Sequence, residues 1–114
     1  MDQRIEVVIY PVSDLAQAKT LFRTLLGVEP YMDEAYYVGF RVGDQQIGLD
    51  PQGHRKGMTG PVVYVEVADI HSRLNQLLEA GAQPLQKVQD VGGGKLVASV
   101  KDADGNNLGL IQNP

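Results

Sequence analysis

Cysteine is missing from this chain of 114 residues, and its absence removes disulfides, thiolate metal sites and cysteine nucleophiles together. No apolar run reaches about 18 residues and no basic-then-apolar segment opens the chain. Nothing therefore argues for membrane insertion or secretion, and a cytoplasmic location is the expectation. Basic residues are few and scattered: 10 Lys and Arg against 14 Asp and Glu leave a net charge of −4. That balance argues against a nucleic-acid partner and suits a small neutral or cationic one. The glycine run Gly92-Gly93-Gly94 is not a phosphate loop, because no helix opening with Lys-Ser or Lys-Thr follows it.

What is present is patterned. In KLVASVKDADGNNLGLIQ, from Lys95 to Gln112, Leu96, Ala98 and Val100 alternate with Val97, Ser99 and Lys101, and Leu108 and Leu110 with Asn107, Gly109 and Ile111, on either side of Asp102-Ala103-Asp104-Gly105-Asn106. That is a strand, a turn and a strand, since Asp and Asn cap local amides and Gly accepts positive φ. Upstream, residues 5–12 are rich in β-branched side chains and predict a strand, and Ser13-Asp14 caps a helix carrying Leu15, Ala18, Phe22, Leu25 and Leu26 up to Gly27. Short strands are expected around residues 29–32 and over 35–42, then a two-residue turn at Gly43-Asp44 and a strand over 45–50. Residues 51–60 read as a loop. A strand over 61–67, an Asp69-capped helix with Ile70, Leu74, Leu77 and Leu78 ending at Gly81, and a strand near 83–89 complete the chain.

The order β-α-β-β-β thus occurs twice, and the two copies match beyond the order of their elements. Val7-Val8, Val12, Asp14 and Leu15 align with Val62-Val63, Val67, Asp69 and Ile70 at one constant offset. Gly27-Val28-Glu29-Pro30 then aligns with Gly81-Ala82-Gln83-Pro84, and Ile47-Gly48-Leu49 with Leu108-Gly109-Leu110. One domain is expected, with a first module over about 1–52, a linker over 53–60 and a second module over about 61–114. Pairing across Gly43-Asp44 puts Val38, Phe40, Ile47 and Leu49 on a helix-facing side, and Tyr37, Gly39, Arg41, Gln46, Gly48 and Asp50 on the other. Glycines on that second side either leave room for a ligand in a cupped sheet or relieve crowding in a bent one.

At this point the chain resembles the glyoxalase, bleomycin-resistance and ring-cleaving dioxygenase superfamily, the vicinal oxygen chelate proteins. The resemblance rests on V-S-D-L at Val12–Leu15, L-L-G-V at Leu25–Val28, V-A-D-I at Val67–Ile70, L-L-E-A-G-A at Leu77–Ala82 and K-D-A-D-G-N at Lys101–Asn106. It implies an α+β fold in which two tandem β-α-β-β-β modules form a cupped mixed sheet with the helices outside. It also implies a homodimer. Metal-dependent members hold a divalent ion with side chains from each module's first and last strands. Carried over by position, those sites fall on Val7, Val62, Gly48 and Gly109, none of which offers a side-chain donor. No metal and no other cofactor is therefore expected.

The resemblance places a cavity face on Val7, Ile9, Tyr37, Arg41, Gln46, Val62, Tyr64 and Glu66. Tyrosines there would stack on a flat organic ligand, with Arg41 and Glu66 fixing its polar ends. Glu66 is the candidate catalytic residue, either a general base in an apolar cup or a rim carboxylate paired with a cation. Among the histidines, His71 reads as a solvated helix residue, and His54 as either a surface residue or part of a loop closing the cavity mouth. The leading expectation is metal-independent sequestration of a small organic molecule. The alternatives are a lyase, isomerase or oxygenase with a shifted metal or none, and a dimeric interaction module whose cup is filled.

Overall fold

A computed structural model describes residues 4–114. Its elements are β1 (Ile5–Pro11), α1 (Leu15–Leu26), β2 (Met32–Glu34), β3 (Tyr37–Val42), β4 (Gln45–Asp50), β5 (Val62–Glu66), α2 (Ile70–Glu79), β6 (Gln83–Asp90), β7 (Leu96–Lys101) and β8 (Asn107–Gln112). The chain forms two compact units, one from Val7–Pro61 and the other from residues 4–6 with Val62–Pro114.

In the Val7–Pro61 unit, β1 runs parallel to β4, while β3 pairs antiparallel with β4 and with β2. The expected turn at Gly43-Asp44 sets the register, with Val42 opposite Gln45 and Phe40 opposite Ile47. α1 starts where Asp14 accepts from the Gln17 amide at 3.0 Å and stops at Gly27, whose φ of 71° suits a residue without Cβ. Its Leu15, Ala18, Phe22 and Leu26 cover Val38, Phe40 and Leu49. The strand expected around 29–32 lies instead at Met32–Glu34. Pro30 has no N–H to give a ladder, so pairing opens only with the Tyr31 amide donating to the Gly39 carbonyl at 2.9 Å. β3 starts at Tyr37 rather than Ala35, because residues 35–36 form the turn between Glu34 and its partner Tyr37. Within the loop, His54–Lys56 makes one 3-10 turn, and Lys56 Nζ donates to Asp50 Oδ2 at 2.7 Å.

In the other unit, β5 is parallel to β8, β8 antiparallel to β7 and β7 antiparallel to β6. α2 opens with Asp69 accepting from the Ser72 amide at 3.1 Å, and Gln112 Oε1 takes the Ile70 amide at 2.7 Å. It closes in a Schellman arrangement, Ala82 N–H to Leu77 and Gly81 N–H to Leu78, with Gly81 at φ 112°. Val65, Val67, Ile70, Leu74, Leu77, Ala98 and Leu110 form this unit's core. The β7–β8 turn is tied by Asp102, whose Oδ1 accepts from the Asp104 and Asn106 amides. Hydrogen bonds from Asn106 hold the Asp102 carboxyl below the ordinary aspartate value. No helix among the described residues is long and apolar enough to cross a membrane.

Candidate functional site

Strand register sorts the sequence-derived residues into two groups, one on each unit. On the Val7–Pro61 unit, Val7 pairs with Gln46, Ile9 with Gly48, Gly39 with Gly48 and Arg41 with Gln46. Partners across a ladder share a face, so Val7, Ile9, Tyr37, Arg41 and Gln46 lie together, opposite the Phe40–Leu49 core. Val7 is buried, Ile9, Tyr37 and Gln46 are half-buried, and Arg41 is exposed. Neither Tyr37 nor Tyr64 belongs to a helix-facing core.

Two tyrosines occupy the space above the glycines of this face. A Cβ placed on Gly48 would collide with the tip of Tyr37, and one on Gly39 would lie 3.0 Å from the Tyr31 ring. Tyr31 is the residue of this face that sequence reasoning passed over. Its hydroxyl donates to Gln46 Oε1 at 2.9 Å, and the Arg41 guanidinium lies 4.4 Å from its ring centroid. Gly39 was the available signal, since a glycine inside a strand marks close approach of another group.

On the second unit, Val62, Tyr64 and Glu66 alternate along β5 away from the Val65 side. Val62 is buried, and Tyr64 lies over Gly109, so that a Cβ there would sit 2.6–2.8 Å from ring atoms. Glu66 is engaged on both oxygens: Arg4 Nε donates to Oε1 at 3.1 Å and Asn113 Nδ2 to Oε2 at 2.8 Å. The same Asn113 amide reaches Glu6 Oε1 at 2.8 Å, and Lys95 Nζ reaches Glu6 Oε2 at 3.1 Å. Burial of the Glu6 carboxyl pushes its pKa up, but hydrogen bonds from Asn113 and Lys95 and the charges of Lys95 and Arg4 outweigh burial and hold it below the ordinary glutamate value.

A depressed carboxylate pKa stabilises the fold above the unfolded value, and that stabilisation is lost as pH falls through it towards the folded value. Chemical denaturation is therefore expected to show Glu6→Gln less stable than the wild type at pH 7. The gap should close as pH drops below roughly 4.3, the ordinary glutamate value. A gap that stays constant with pH would remove Glu6 from the acid response.

The metal positions of the resemblance can be tested directly. Val7 and Val62 have no donor atoms, and the space beside Gly48 and Gly109 is filled by Tyr37 and Tyr64. Among the described residues no three His, Asp or Glu side chains converge as a metal would require. The donor set at these positions does not fit a divalent ion. His54 is exposed on the 3-10 turn and His71 exposed on α2, while Asp50 is held by Lys56 and by the Gln52 amide at 2.8 Å. An open groove of about 370 Å³ lies elsewhere, between α1 and β2–β3, with Leu15, Ala16, Ala35 and Val38 on its walls. Lys19 and Asp33, also on its wall, pair at 2.9 Å. None of the sequence-derived site residues lines it.

With this geometry in hand, comparison with known proteins defines the class. The sequence profile of the Glyoxalase/Bleomycin resistance protein/Dioxygenase superfamily matches residues 4–110, and the chain belongs to that superfamily. Its fold is accordingly α+β and glyoxalase-like. No curated protein matches the chain in sequence. Three solved structures illustrate the similarity of fold. A Vibrio splendidus 12B01 member of the superfamily is 16% identical, covering 98% of this chain and 100% of its own, with a TM-score of 0.72. A Legionella pneumophila protein described as an NAD-dependent benzaldehyde dehydrogenase is 14% identical, covering 99% and 100%, with a TM-score of 0.76. Methylmalonyl-CoA epimerase from Mycobacterium tuberculosis is 17% identical, covering 96% and 87%, with a TM-score of 0.68.

Proposed function

We propose that this protein binds a flat organic molecule without a metal, in the manner of the sequestering branch of its superfamily. The observation that carries the reading is the replacement of donors by aromatic surface. Gly48 bears no side chain, and the space it leaves is taken by Tyr37, with Tyr31 ordered beside it by Gln46. A face with Ile9, Tyr31, Tyr37 and Gln46 supplies apolar contact and a few oriented polar groups, the usual make-up of a small-molecule site. Tyr64 over Gly109 gives the second unit a comparable surface.

A thermal-shift screen of planar organic compounds, alongside divalent ions, tests the proposal. A compound present at about 100 times its Kd stabilises the native state by roughly 2.7 kcal/mol, so the expected result is a clear rise in Tm with an organic ligand and none with metals. Tyr31→Ala should weaken that ligand by roughly three- to tenfold, the worth of one aromatic contact. Stoichiometric divalent metal in protein purified without chelators, together with a metal-dependent Tm, would overturn the reading.

A further inference from the structure

We infer that the ligand of the Tyr31–Tyr37 face carries a carboxylate held by Arg41 and Gln46, which makes it a planar aromatic acid; this rests on the binding reading above. Arg41 and Gln46 are direct partners across β3 and β4, a relation that sets Cβ atoms about 4.5–5.5 Å apart on one face. The guanidinium packs at 4.4 Å from the Tyr31 centroid. That contact engages the ring through the cation and consumes none of the five guanidinium N–H donors as a conventional hydrogen bond. Among the described residues no carboxylate pairs with Arg41, although Arg4, Lys19, Arg23, Lys56 and Lys95 each have one.

Gln46 offers a donor on the same face. Its Oε1 is taken by the Tyr31 hydroxyl, which leaves the Nε2 amide as the donating end, and among the described residues nothing accepts from it. Arg41 and Gln46, cross-strand partners whose side chains both keep donors without a protein acceptor among the described residues, together offer donors for the two oxygens of one carboxylate. Tyr37 and Ile9 lie on the same face to receive a ring. The net charge of −4 favours neutral or cationic ligands at long range, but exposed charges are screened over roughly 8–10 Å, so direct contacts decide recognition here.

Calorimetric titration with benzoate and with benzamide, which share a ring and differ in charge, separates the possibilities. The wild type should bind benzoate at least about tenfold tighter, since hydrogen bonds to a charged group are each worth more than neutral ones. Arg41→Gln should reduce the benzoate-to-benzamide ratio to about one, and Arg41→Lys should restore only part of it, because an ammonium has no fork. Arg41 is exposed, so an unchanged Tm of the unliganded variants verifies that the fold is kept. Equal binding of the two compounds by the wild type, or an undiminished preference in Arg41→Gln, would overturn the carboxylate assignment and leave flat-ligand binding standing. Failure of both compounds and of the planar screen would overturn both readings.

Discussion

Phe40→Ala is expected to lower the unfolding free energy by about 3–5 kcal/mol and Tm by roughly 10–20 °C, read from urea and thermal melts. Phe40 is 0% exposed and lies between Val38 and Leu49 of the sheet and the Ala18, Phe22 and Leu26 side of α1. Removing its ring takes away buried apolar area and leaves a cavity. β3 is held in ladders on both sides, by β2 and by β4, so the walls cannot close on that cavity. Leu25→Ala is the matched control. Leu25 sits on the same helix but is 75% exposed, and its truncation should stay within about 0.5 kcal/mol. Equal losses from the two variants would show that the Phe40 core is not what stabilises this unit.

Gly109→Ala is expected to cost about 1–3 kcal/mol, the range for overpacking. The backbone is not the reason. Gly109 has no positive φ, and alanine in a strand is otherwise favoured over glycine by roughly 0.5–1 kcal/mol. The cost comes from Tyr64, whose Cγ, Cδ2 and Cε2 would lie 2.6–2.8 Å from the new methyl. Cγ moves only with a change of χ1, which takes the whole ring off its place, so either Tyr64 changes rotamer or β5 or β8 shifts. At Gly48 the colliding atoms are instead the far end of Tyr37, which can rotate away, and Gly48→Ala should cost less. In a double-mutant cycle, Tyr64→Ala should recover most of the Gly109→Ala loss. A neutral Gly109→Ala, or a Gly48→Ala that costs more, would sink this account. The same contact explains why a metal donor cannot be restored at Gly109 by one substitution: any side chain there must first displace a ring.

Much of this fold is legible in the sequence. The helix caps at Asp14, Gly27 and Asp69, the turn at Gly43-Asp44 and the sorting of Phe40, Ile47 and Leu49 to the helix side all rest on neighbours a few residues apart. Strand ends were less legible. The placement of β2 depended on which amide first found a partner after Pro30, and that partner, the Gly39 carbonyl, lies in another strand. Tyr31 was missed for the same reason, because nothing near it in the chain announces Gly39, Arg41 and Gln46.

By itself the sequence sufficed for the repeated β-α-β-β-β order, the two helices with their caps, the faces of the strands and the lack of donors at Val7, Gly48, Val62 and Gly109. The caps and strand faces follow from residue type and from spacings of two to four residues, which act locally; the repeat follows from matching the two halves, and the metal positions from the family resemblance. The contacts that give the candidate site its chemistry came only with the fold: Tyr31 against Arg41 and Gln46, Tyr64 over Gly109, and Glu6 held by Lys95 and Asn113 across 89 and 107 residues. Each joins groups brought together by ladder register and packing, and a shift of one residue in register would turn the strand residues among them, Arg41, Gln46, Tyr64 and Glu6, to the opposite face.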